Sequence, residues 1–533
     1  MRNGREVLRR LAIAAAIAFP RLVLAQSVLV AGPEFRVNTF TTNAQADVSV
    51  ASGAGGAFVV VWQSKSQDSS DFGIFGQRYD AAGAPAGGEF PINTTTANAQ
   101  NLSAVAVDSS GNFVVVWASA GQDGSGYGIF GRRFSSTGAP AGGEFRVNSS
   151  TTSAQWYPAI SFSSSGSFLV VWQSFVPAGM FGGFHDVIGQ VYSSAGTPVG
   201  GSFRVNTYTS NDQTAPAVAA FGSGFVVVWQ SDGQDGYTMG VFGQRVDGTG
   251  ASLGAEFRVN GYTTFDQNLP TVASDSSGRF VVAWHGGGDR DGSYAAVFAQ
   301  RFDSGGAPSG GEFRVNSFTT GSQAYASISS SAAGGFEVVW RGTNQDGDGY
   351  GVFGQRFASS GAALGAEFRV STFTTGYQTY PSIASDAAGD FVVAWQSDAQ
   401  DGDAGGVFAQ RFCVALAGVS IGSMGTTTTC TTGTGSMLTV TDVGGGDNRH
   451  QWGYRLVSMS GGITSLVGQT GPTYTIHGSD FPGAGTYYVV CTTMPGCGSN
   501  TVSNEITVTI TSDGTPPTVS APAASTAVQS LCQ

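Results

Sequence analysis

Seven copies of one short apolar strand, each ending in tryptophan, recur along this chain at nearly constant spacing. They end at Trp62, Trp117, Trp172, Trp229, Trp284, Trp340 and Trp395, at intervals of 55, 55, 57, 55, 56 and 55 residues. A fixed period of this size marks a repeat architecture, in which one unit cannot bury its own apolar face and must stack on its neighbours. In the last copy, Phe391-Val392-Val393-Ala394-Trp395, apolar residues fall on both faces, so the strand must be covered from both sides. The stretch Phe35-Arg36-Val37-Asn38 and its repeats alternate apolar and polar, which suits an outer strand with one wet face.

Each period reads as four strands joined by Gly- and Pro-containing turns short enough for antiparallel neighbours. The ends of the array are complementary. It opens with an unaccompanied Glu34-Phe35-Arg36-Val37-Asn38 and closes at Val407 to Phe412 with a period lacking that strand. A ring whose last unit takes its fourth strand from the N-terminus has this pattern, and closure removes exposed sheet edges. The predicted fold is therefore all-β: a seven-bladed β-propeller over residues 32–412, its seventh blade closed by the N-terminal strand, with the seven tryptophans as structural core. The periods resemble bacterial extracellular propeller repeats, loosely of the FG-GAP type.

Three charged positions also recur. A loop Asp appears as Asp68, Asp123, Asp235, Asp291, Asp346 and Asp401; a strand Arg as Arg78, Arg133, Arg245, Arg301, Arg356 and Arg411; and a Glu as Glu34, Glu89, Glu144, Glu256, Glu312 and Glu367. All three are missing from the third period, where Val191 and Ser202 stand in for Arg and Glu. Their joint loss suggests a joint purpose, and pairing of Arg with the carboxylates is the expected one. Gln45 and its six counterparts are expected to satisfy turn backbone groups.

The loop Asn344-Gln345-Asp346-Gly347-Asp348 places oxygen-bearing side chains at alternate positions, a spacing by which a short loop wraps calcium. Asp289, Asp291 and Ser293 repeat it in the fifth period. These six residues are the candidate metal ligands. The sequence offers no zinc spacing, nucleophile elbow or phosphate loop, and the expectation is a non-catalytic chain. The third-period loop with Met180, Phe181, Phe184 and His185 reads as repeat decay or an apolar contact patch.

Residues 1–25 read as a signal peptide, with Arg2, Arg5, Arg9 and Arg10 ahead of a short apolar run and Val23-Leu24-Ala25 as a cleavage site. No run reaches the length of a transmembrane helix. A net charge of −12 disfavours nucleic acid as a partner. Beyond Val414 the period stops. Trp452, Gly485-Thr486-Tyr487-Tyr488-Val489 and Gly496-Cys497 resemble bacterial immunoglobulin-like modules, which implies a β-sandwich over residues 413–512 and a disulfide from Cys430 to Cys491 or Cys497. Residues 513–533 read as a linker and the start of a further, truncated module. The functional expectation is a secreted or cell-surface bacterial protein whose propeller binds an extracellular glycan or protein, for adhesion, with a purely structural surface-layer role or a propeller hydrolase as alternatives.

Overall fold

The computed structural model describes residues 28–414, apart from 179–181, 289 and 291, and beyond them the backbone of strands lying within 420–520. The signal peptide falls outside the described residues, as do Met180, Phe181, Asp289, Asp291, Cys430, Cys497 and Cys532. Among the described residues no helix is long and apolar enough to cross a membrane.

Seven antiparallel sheets follow one another in chain order. The first comprises Gln45–Ser52, Phe58–Lys65, Phe72–Tyr79 and Phe90–Pro91, with the glutamine strand innermost. The tryptophan strand is second from the axis, sandwiched between neighbouring blades, and every residue of Phe58–Ser64 is buried. Each tryptophan packs into a cluster shared by two blades: Trp62, for instance, lies with Val50 of its own blade and Val392, Ala394 and Val407 of blade seven. That shared cluster closes the ring.

Closure uses more of the N-terminus than the sequence predicts. Phe35–Arg36 pairs with Ala409 and Phe408, and Val28–Val30 adds a second pairing, to Phe412–Val414. Asn38 accepts from the Val407 amide at 2.8 Å, a bond that recurs at Asn93, Asn148, Asn206, Asn260 and Asn316. Glu34 accepts from the amide and hydroxyl of Thr372 at 2.6 and 2.7 Å.

The recurring charges couple blades, but not by the expected ion pairs. Each Glu reaches back: Glu89 takes the Thr39 amide at 2.6 Å, as Glu34 takes that of Thr372. Arg78, Arg245 and Arg301 reach forward, donating to the turn carbonyls of Ser136, Gly305 and Ser359 in the next blade. Turn carbonyls satisfy an arginine without the cost of desolvating a second charge. In blade three a Ser149–Ser202 hydroxyl pair at 2.5 Å replaces the Glu contact, and Asp186 takes the loop Asp's place against Asn206. The glutamines behave as predicted: Gln45 Nε2 donates to the carbonyls of Thr42 and Asn43.

The divergent third-period loop is a regular hairpin, Phe168–Ala178 paired with Gly182–Tyr192. His185 Nδ1 lies 2.9 Å from Asp212, and the Val176 and Phe184 side chains are exposed. Cys413 is disulfide-bonded, a partnership the sequence reading did not include. The C-terminal strands form a three-stranded and a six-stranded antiparallel sheet.

Candidate functional site

Every inner strand carries a β-bulge just after its glutamine, where the register to the tryptophan strand shifts. The residue two places beyond each glutamine lies in the left-handed region: Asp47 (φ 49°), Leu102 (54°), Tyr157 (50°), Ala215 (50°), Leu269 (48°), Tyr325 (56°) and Tyr380 (52°). None is glycine, and the conformation costs an L-residue about 1–2 kcal/mol. Repeated in all seven blades, the strain turns these side chains toward one axial well of about 340 Å³. Strain of this kind persists where the surroundings over-determine it, and it concentrates at functional sites.

What holds the bulges differs between blades. The residue after the core tryptophan faces the bulge of the next blade. Gln63, Gln173 and Gln230 accept from the amides of Leu102, Ala215 and Leu269 at 3.2, 3.1 and 2.9 Å. Opposite the three tyrosines the glutamine is replaced: Ala118 faces Tyr157, His285 faces Tyr325 and Arg341 faces Tyr380. The tyrosines therefore stand where the supporting glutamine is lost, while Asp47 faces the retained Gln396. Gln230→Ala is expected to lower stability by about 1–2 kcal/mol through the orphaned Leu269 amide. A denaturation midpoint equal to the parent's would remove this supporting role.

Tyr157 apart, the ionisable groups at the well stand on the side from blade five round to blade one. Tyr325 and Tyr380 meet edge-on with ring centroids 4.7 Å apart. The Arg341 guanidinium lies 4.4 Å from the Tyr325 ring centre and 4.1 Å from that of Tyr350, and donates to Thr379 Oγ1 at 3.4 Å. Burial pushes the Asp47 carboxyl above its ordinary value. Burial, and then Tyr325, raise the Tyr380 phenol, on which the charges of Arg341 and Asp47 also act. His285 is pushed down to about 4, by burial first and by Arg341 second, so its imidazole is neutral at pH 7.

The face around this well is rich in exposed aromatics. Tyr157 and Tyr380 line the well itself. Tyr237 with Phe265, Tyr294 and Tyr377 stand exposed on the loops that surround it, Tyr377 packing against the half-buried Tyr350.

Of the residues expected to hold calcium, Ser293, Asn344, Asp346 and Asp348 are described, all on loops of this face. Asp348 accepts from the Gly376 amide at 3.1 Å. Both Asp346 carboxylate oxygens are buried without a hydrogen-bond partner, and Ser371 stands where blade two has Asn148, which donates to Asp123. No group of three or more His, Cys, Asp or Glu side chains converges as a metal site among the described residues.

No protein-family model and no curated protein sequence matches the chain. Among solved structures it is similar to a Dyadobacter fermentans protein of unknown function, at 11% identity over 73% of this chain and 99% of that one, with a TM-score of 0.45. It is also similar to a polysaccharide lyase (11%, 69% and 89%, TM-score 0.42) and to a Penicillium chrysogenum α-L-arabinanase (12%, 72% and 98%, TM-score 0.42). The last two are enzymes. At these values no residue role carries over to this chain, but the finding corrects the expectation of a non-catalytic adhesion propeller. The physical reason that this grouping escapes the sequence lies in the fold: Asp47 is remote in sequence from Tyr325 and Tyr380, and the three line one well only because the ring closes.

Proposed function

We propose that this propeller is a glycan-processing enzyme working in its axial well, with Asp47 and Tyr380 as the proton-transferring pair. The observation that carries the reading is the set of seven left-handed bulges turned into one cavity, with an acid of raised pKa and a tyrosine pair on one side of it. A concave pocket with perturbed titrating groups is where acid–base chemistry is arranged. Tyr380, held protonated at neutral pH, suits the acid; Asp47, deprotonated above its raised pKa, suits the base. The exposed tyrosines suit a sugar, whose C–H faces stack on aromatic rings. The test is incubation of the full chain with a panel of neutral and acidic polysaccharides, reading new chain ends. Cleavage of at least one is expected; no cleavage and no binding across the panel would overturn the reading.

Three further parts of this reading rest on the sequence. The signal peptide supports export, and the resemblance of the C-terminal segment supports an immunoglobulin-like spacer. The alternate oxygens of Asn344, Asp346 and Asp348 support calcium in the blade-six loop. If calcium binds there, it raises the melting temperature by mass action relative to chelator, and the rise disappears in Asp346→Ala. A rise of the same size in that variant would place the ion elsewhere.

A further inference from the structure

Arg341 is an arginine without a counter-charge. Arg356 by contrast pairs with Glu337 at 3.1 Å and Arg290 with Glu312, while Arg78, Arg245 and Arg301 donate to turn carbonyls of the next blade. No carboxylate lies within 4 Å of Arg341 among the described residues, and its Nε is buried without a hydrogen-bond partner. Its fixed contacts are two tyrosine faces and a single long hydrogen bond to Thr379.

Stability does not account for it. At the same position the neutral Gln63, Gln173 and Gln230 bond the neighbouring bulge, so no positive charge is needed to hold one. Partly burying an unpaired cation is costly, and each cation–π contact returns only about 0.5–2 kcal/mol. The two rings do fix the guanidinium in place, against the Tyr325 ring that lines the well next to Tyr380. A planar, clamped guanidinium with unused donors is the group that takes a carboxylate two-pronged.

We propose that Arg341 forms an anion subsite of the axial well and that the glycan taken there carries carboxylates, as a uronic acid polymer does. This rests on the reading of the well as a glycan site. The net charge of −12 opposes a polyanion at long range, but exposed charges are screened beyond about 8–10 Å at physiological salt, so the local cation decides.

The test is titration of the full chain and of Arg341→Gln with short oligomers of galacturonate, glucuronate and mannuronate, each beside its carboxyl-reduced form, and with a sulfated neutral oligosaccharide. Glutamine at this position is native to other blades, so the variant is expected to fold, and thermal unfolding verifies this. The parent is expected to bind at least one uronate about ten- to a hundredfold tighter than its reduced form, and Arg341→Gln to lose that margin while binding the reduced form unchanged. Equal binding of acid and reduced forms by the parent, or an unaltered margin in Arg341→Gln, would overturn the subsite and leave the glycan well standing. Sulfated sugar binding as tightly as uronate would overturn the carboxylate assignment. Binding of none of these sugars would overturn the well itself.

Discussion

A chain beginning at residue 39 is expected to lose the cooperative unfolding of the propeller. The missing segment supplies both outer pairings of blade seven, the buried Val37 and Asn38 side chains, and the Glu34 bonds to Thr372 and Gln400. Burying one apolar side chain is worth about 1.5–3 kcal/mol and each hydrogen bond about 1 kcal/mol net. Their sum rivals the roughly 5–15 kcal/mol that separates a folded domain from its unfolded chain. Calorimetry should show a lowered or broadened transition. A synthetic peptide of residues 28–38, added in trans, should restore it by strand addition, the interaction being mostly main-chain. A transition identical to that of the full chain would mean that the ring does not depend on its N-terminal strand.

The second large effect is expected at Asp47. Asp47→Asn should lower turnover of a cleaved glycan about 10²–10⁴-fold, the usual contribution of a positioned acid or base, with little change in KM. The fold should not suffer. Asparagine tolerates the left-handed conformation at φ 49° at least as well as aspartate, and it removes a carboxylate whose ionisation burial disfavours. The sign of the pH effect follows. With its pKa raised in the folded state, Asp47 binds its proton more tightly there than in the unfolded chain. Its contribution to stability is thus fully present below the unfolded value and lost as pH rises through the folded one. Asp47→Asn should abolish that decline. In the parent, the acidic limb of the activity profile should lie above the ordinary value of an aspartate. Activity in Asp47→Asn equal to the parent's would leave the well without its base.

Much of the fold was legible because the repeats write the same message seven times. The tryptophan period, the two-sided burial of Phe58–Ser64 and the unmatched Glu34–Asn38 strand each follow from local residue patterns that the ring then satisfies. The charges misled, since an Arg, an Asp and a Glu at fixed spacing look like ion pairs in one dimension. In the ring, Arg78 is nearer to the carbonyl of Ser136, and Glu89 to the amide of Thr39.

The well was hidden because its position is conserved in backbone and variable in side chain. Two places after each glutamine the chain reads Asp, Leu, Tyr, Ala, Leu, Tyr and Tyr, which gives no periodic signal. The readable sign lay across blades: tyrosine occupies that place where the residue after the preceding tryptophan has ceased to be glutamine, at Ala118, His285 and Arg341.

The seven bulges have a consequence for how such a protein changes over time. Backbone geometry alone fixes where each of these side chains points, so the identity of the occupant is free to vary without redrawing the scaffold. Leu102, Ala215 and Leu269 occupy the same kind of slot as Asp47 and the tyrosines. The ring is in effect a seven-place alphabet read at the axis, and a new specificity is one substitution per place away.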